Sequence, residues 1–270
     1  MKIILLLGVC ICFFGCSAIN RGLSYFHYKD NLTALKSDKR ILIEPGLNER
    51  GMIISSKLDS AISLVVSVFG SNFSNPIYIT LCKTQESHVK HCGDYMISSG
   101  MMNWGRVFIS PLAFERKSEI PVLVHELTHL HTCQRIGIFK FIGNIPAWFT
   151  DGLAVVVSNG AGAEDFSDSI AIEWINNGKC FSPVRNGNFI KTSAGNEPAL
   201  PWDMFYRQSS LFVKYLMDSN PKAFQLMLTD IENDKDFEKS FDKNYKNSIQ
   251  TAMEEFKETL RSKGTAKKSS

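Results

Sequence analysis

The sequence has almost no imbalance of charge. Its 270 residues carry 30 lysines and arginines against 27 acidic residues, a formal net charge of +3. That balance calls for neither nucleic acid nor an acidic substrate as partner. No C-x-x-C pair occurs among the seven cysteines, which removes the usual cysteine-built structural zinc site. No internal repeat is present, and beyond the first fifteen residues no apolar run reads as long enough to cross a bilayer. Basic residues gather only near the end, from Arg261 to Lys268 beside Gly264 and the terminal serines, so residues 263–270 are expected to be a disordered, solvated tail.

What is present begins with a leader. Residues 1–15 have Lys2, then a nearly unbroken apolar run, then Gly15 before Cys16, the pattern of a secretory signal peptide. Phe13-Phe14-Gly15-Cys16 resembles a bacterial lipoprotein box. The resemblance implies that Cys16 is the lipidated first residue of the mature chain, anchored to a membrane in the cell envelope and facing the periplasm. Ser17 in place of an aspartate favours the outer membrane. The alternative is an ordinary cleaved signal and a secreted protein. Cys82, Cys92, Cys133 and Cys180 remain, an even number suited to an oxidising compartment. Cys82–Cys92 is a local bridge and Cys133–Cys180 a longer tie; three pairings exist, and all four thiols could equally be unbridged.

The organisation follows from apolar periodicity and its breakers. Residues 16–38 read as an anchor and linker, and 39–262 as one folded domain. Strands are expected at 40–43, at 76–81, and as a pair at 95–98 and 106–110, with a helix at 52–69. Residues 82–94 read as a polar loop with His88 and His91 solvated. From Ser118 the chain reads as mainly helical, with connections at 137–144, 161–168 and 180–201. The expected class is α+β: a small mixed sheet followed by a mainly helical region, with a metal site between them.

The chemistry centres on His125-Glu126-Leu127-Thr128-His129. On a helix, positions i and i+4 share a face, so two imidazoles can grip one ion while the intervening glutamate reaches water beside it. Leu123, Leu127 and Leu130 supply the apolar stripe that seats such a helix, and His131 points away from the ligand face. A catalytic zinc wants three protein ligands. The best third candidate is Asp151 in Ile145-Pro146-Ala147-Trp148-Phe149-Thr150-Asp151-Gly152-Leu153-Ala154, where Pro146 opens a second helix and Gly152 permits close helix approach. The segment from Gly105 to Ser110 reads as a strand ahead of the metal helix, either an edge able to pair with an extended peptide or an ordinary core strand.

These residues resemble the gluzincin-type metallopeptidases, and more narrowly the small bacterial peptidase MA-like domains, which carry H-E-x-x-H followed by P-x-W-F-x-E-G-x-A. His125, Glu126, His129, Pro146, Trp148, Phe149, Gly152 and Ala154 match; Asp151 stands where the family has glutamate, one methylene longer. Tyr206-Arg207-Gln208-Ser209-Ser210-Leu211-Phe212-Val213-Lys214-Tyr215-Leu216 resembles the family's Y-x-x-S-x-x-F-V-x-Y-L helix, and the resemblance covers about Val107 to Leu260. It implies a zincin-like fold and one Zn2+ per chain on His125, His129 and Asp151. It further implies Glu126 as general base and a peptide or protein substrate. Tyr206 then either supports charge on the reacting carbonyl or merely packs at a helix start. Gly100-Met101-Met102-Asn103 resembles the G-x-M-E-N segment of aminopeptidase N-like enzymes but lacks the glutamate that holds a free amine, so exopeptidase specificity gains no support. The rival reading is a non-catalytic lipoprotein that uses the same fold to bind a partner.

Overall fold

The computed structural model describes residues 24, 29–93, 97–183 and 200–266. The leader, Cys16, residues 94–96 and most of the 180–201 connection therefore lie outside the described residues. The chain is α+β, as its patterning predicts: a small mixed sheet followed by a mainly helical region. Two compact units are formed, one from the residues up to Leu58 with Pro76–Glu119, the other from Asp59–Asn75 with Ile120 onward. The span 39–262 contributes to both.

The first unit holds the sheet. Its strands are β1 (Thr33–Ala34), β2 (Ile41–Ile43), β3 (Ile79–Leu81), β4 (Gly100–Asn103) and β5 (Arg106–Ile109), in the spatial order β1-β2-β3-β5-β4. The three central strands run parallel; β1 and β4 pair antiparallel on the two outer edges. Ile41, Ile43, Ile79, Leu81, Val107, Phe108 and Ile109 are all buried, the near-continuous apolar run expected of strands covered on both faces. One strand expectation is corrected. The partner of β5 is β4, set by the turn at Trp104 and Gly105, both with positive φ, and not residues 95–98. β5 is paired on both sides, so of the two readings of Gly105 to Ser110 the core strand holds, and β1 and β4 are the outer strands.

Helix α1 (Asn48–Phe69) starts before its predicted bound and buries Ile54, Leu58, Ala61, Val65 and Phe69 at three- and four-residue spacing. By length and composition it could cross a membrane, which corrects the expectation that no such run follows the leader. Its stripe of buried residues is that of a core helix.

The stretch expected to be a polar loop is helix α2 (Gln85–Cys92). Thr84 and Ser87 exchange hydrogen bonds in a capping box, and Gly93, in the left-handed conformation, closes the other end. His88 and His91 are consequently buried rather than solvated. His91 Nε2 lies 3.6 Å from the Glu44 carboxylate, which also accepts hydrogen bonds from the Lys83 amide and the Ser87 hydroxyl. A short helix, α3 (Pro111–Glu115), ends this unit's regular structure.

The helices that follow are α4 (Glu119–Ile136), α5 (Ile138–Asn144), α6 (Ala147–Val157), α7 (Asp168–Asn176), α8 (Trp202–Ser219), α9 (Pro221–Glu232), α10 (Phe237–Tyr245) and α11 (Ile249–Ala266). The expected loop at 137–144 is thus a helix, because Gly137 with φ 82° breaks the chain between α4 and α5 and the apolar Ile138-Phe139-Lys140-Phe141-Ile142 run then re-enters helix. Residues 263–266, read as tail, continue α11. Trp148 is the hub of the second unit's core, in ring contact with Phe149, Phe181, Phe212 and Phe237. Among the described residues no disulfide is formed: Cys82, Cys92, Cys133 and Cys180 are thiols, so neither expected bridge is present.

Candidate metal centre

The centre lies wholly within the second unit and is built from two helices. Leu123, Leu127 and Leu130 are fully buried and fix the rotation of α4, as the sequence predicts. That rotation turns His125 and His129 to one side and His131 to the other. His131 stacks on Phe69, its Nε2 2.9 Å from the Ser71 carbonyl and its Nδ1 3.5 Å from Glu232. Ser71 in turn donates to Glu232, so this cluster ties the segment after α1 to α4 and α9.

α6 brings the third donor. Trp148 and Phe149 sink into the aromatic core, which leaves Asp151 on the half-exposed side. Gly152 sets the depth: a Cβ built there would lie 2.8 Å from the Ser209 backbone and 2.9 Å from Val213. The glycine thus serves the close approach expected of it, but toward α8, not α4. With α6 seated so, Asp151 Oδ1 comes to 3.3 Å from His129 Nε2, and His129 Nε2 to 3.1 Å from His125 Nε2. All three donor atoms lie within 4.8 Å of one another.

These separations can be tested against zinc. Bonds of about 2.0–2.1 Å place two donors of a tetrahedral zinc about 3.3–3.4 Å apart. The two observed edges, 3.1 and 3.3 Å, match that spacing within a few tenths of an ångström. The third edge, from His125 to Asp151, lies within 4.8 Å, and the three residues together could hold a metal ion.

Tautomer and charge agree with the geometry. His125 Nδ1 donates to the Ala161 carbonyl at 2.9 Å, which leaves the Nε2 lone pair aimed at the common point. Burial, with the neighbouring His129, pushes the His125 pKa down to about 3, so this imidazole is neutral throughout the physiological range. For His129, burial opposes the proton, but the Asp151 hydrogen bond and the Asp151 and Glu126 charges outweigh it and raise its pKa. Its Nδ1 is buried with no hydrogen-bond partner among the described residues, and the ring is flanked edge-on by Phe141.

Glu126 is buried one position after His125, and its charge acts on His129. Tyr206, on the first turns of α8, has its ring centroid 6.4 Å from that of His125. Gly162 sits between these rings: a Cβ there would be 3.3 Å from both, and its φ of 86° is one that side chains rarely adopt.

The structure therefore brings together His125, His129, Asp151, Glu126 and Tyr206. Cys82 and Cys92 belong to the first unit. The sequence reading missed the Ala161 carbonyl. A backbone acceptor has no signature in residue type; its only trace is the cluster of small residues, Gly160 to Ala163, that lets the chain run past His125. No family model matches this chain, and a search of curated proteins finds no match.

Proposed function

We propose that this chain is a zinc-dependent metallohydrolase and, within that class, a peptidase. One observation supports the metal above all: two imidazoles and a carboxylate from separate helices converge at zinc-like spacing, one imidazole already locked in the ligating tautomer. The choice of peptide hydrolysis rests on the H-E-x-x-H and P-x-W-F-x-D-G-x-A resemblance and on the buried Glu126, for which a purely structural site has no use.

Zinc, when bound, supplies Lewis acidity at the scissile carbonyl and makes water acidic enough to react near neutrality. The chain does the rest. His125, His129 and Asp151 would hold the ion. Glu126 accepts the proton of the attacking water and passes it to the nitrogen released when the C–N bond breaks. Tyr206, beside His125, supports the charge that develops on the carbonyl oxygen. The substrate is a peptide or protein. The leader and Cys16 support a lipoprotein of the bacterial envelope that faces the periplasm, with the outer membrane favoured over secretion; this reading rests on sequence alone.

Metal analysis of purified protein is expected to find close to one zinc per chain, lost in His129→Ala. Glu126→Gln is expected to keep the metal and lose hydrolysis of a general protein substrate by about 10²–10⁴-fold, the usual contribution of proton transfer. A Glu126→Gln variant that cleaves as well as the parent removes the proposed base.

A further inference from the structure

The loop after α6 comes back over the metal helix, and its path is unusual. Asn159, Gly160 and Gly162 all have positive φ, and the Ala161 carbonyl between them is the acceptor for His125 Nδ1. A carbonyl on such a loop holds an imidazole only as firmly as the loop itself is held. Backbone hydrogen bonds hold it, from the Gly160 amide to the Val155 carbonyl and from the Ala163 amide to the Gly160 carbonyl, and three side-chain contacts add to them. The Ser158 hydroxyl accepts from the Ala161 amide at 3.2 Å, and Glu164 accepts from the Gly162 amide at 3.0 Å. Both are local. The third comes from another helix: Arg207 of α8 donates through Nη2 to the Ala163 carbonyl at 2.7 Å and through Nη1 to Asp168, at the start of α7, at 3.1 Å.

Arg207 is placed for this and for little else. It follows Tyr206, so the same turn of α8 presents the phenol to His125 and the guanidinium to the loop. Its Nη2 passes 3.6 Å from where a Cβ on Gly160 would stand. The Arg207 side chain is mostly buried, while Asp168 is mostly exposed. An ion pair with one partner in water contributes little by itself. The short bond to a backbone carbonyl, made by a charged donor in a shielded place, is the stronger restraint.

We propose that Arg207 is a positioning residue for the metal centre: by clamping the 159–167 loop through Ala163 and Asp168, it holds the Ala161 carbonyl on His125 and thereby keeps His125 in its ligating tautomer and orientation. The proposal rests on the zinc reading above. It links the helix that carries Tyr206 to the first metal ligand without any direct contact to the ion. Loss of a group that orients a ligating histidine typically weakens metal affinity by about 10–100-fold.

The test is a zinc dissociation constant, measured by chelator competition, for the parent, Arg207→Met and Arg207→Lys, together with the thermal midpoint of each metal-free protein. Methionine keeps the apolar stem and the helix propensity and removes the donors. Arg207→Met is expected to bind zinc about 10–100-fold more weakly than the parent, and Arg207→Lys, which retains one donor, to recover part of the loss. A merely structural arginine would lower the midpoint and leave the dissociation constant within two-fold of the parent; that result overturns the proposal. Should the methionine variant fail to fold, solvent exchange of the His125 Nδ1 proton in Arg207→Lys decides: faster exchange than in the parent supports the clamp, and exchange at the parent rate overturns it. A parent that binds no zinc at all defeats the metal reading instead, and the two failures are distinguishable.

Discussion

Gly152 shows how much one missing methyl group carries. A Cβ there meets Ser209 backbone atoms, which cannot swing aside as a side-chain tip would. Gly152→Ala must therefore push α6 off α8, and α6 carries Asp151. Overpacking of this kind costs about 1–3 kcal/mol. We expect Gly152→Ala to lower the urea midpoint accordingly and to weaken zinc binding as well, whereas Gly143→Ala, where an added Cβ meets nothing within 4 Å, is expected to be neutral or slightly stabilising. Equal effects of the two substitutions would show that α6 is not seated by this contact. At the residue scale the sequence was most legible where chemistry sets spacing. His125, Glu126 and His129 follow from the helical repeat, and Asp151 from the helix that Pro146 opens and the glycine beside the carboxylate. Arg207 and Ala161 were illegible, because one acts through a carbonyl and the other is one.

At the scale of elements, legibility depended on whether the apolar pattern was long. α1, α4, α6 and α8 have apolar positions that recur over several turns, and each is legible in the sequence. α2 was missed because its sequence is mostly polar and its buried positions are two histidines and a cysteine. The signal that could have found it was at its ends: Thr84 with Ser87 three residues on, then Gly93. Removing that cap tests how much it matters. Thr84→Ala is expected to destabilise the protein by about 1 kcal/mol, read as a shift in urea midpoint, with zinc affinity unchanged since α2 belongs to the first unit. A change in zinc affinity would show that α2 bears on the candidate centre. The β4–β5 pair was misplaced by a few residues because Gly100-Met101-Met102-Asn103 has weak strand character on its own; it is strand because β5 offers it a partner.

For the molecule as a whole, the two imidazoles make stability depend on pH in opposite senses. His125 stays neutral in the folded chain down to about 3, whereas in the unfolded chain it takes up a proton near its ordinary value of 6.5. The unfolded state then binds the extra proton, so stability falls as pH drops from 6.5 toward 3. His129 has a raised pKa; its contribution is complete below 6.5 and is lost as pH climbs through its folded value. Chelator-treated protein is therefore expected to be most stable near pH 6.5 and to lose on the order of 1 kcal/mol per pH unit toward pH 5, measured by urea denaturation. Saturating zinc is expected to raise the thermal midpoint at neutral pH, by about 4 kcal/mol of stabilisation at a thousand-fold excess over its dissociation constant. A flat profile between pH 6.5 and 5 would mean that His125 is solvated and not held against Ala161.

The helix α6 bears on the candidate centre twice, with Asp151 along its length and the Ala161 carbonyl just past its end. The interval between them acts as a ruler. Each helical residue turns the chain by about 100°, so a single insertion or deletion inside that interval would swing one support away while leaving the other in place. Divergent versions of this chain could change most surface positions and keep the centre, but the distance from carboxylate to carbonyl, counted in residues, has no such latitude.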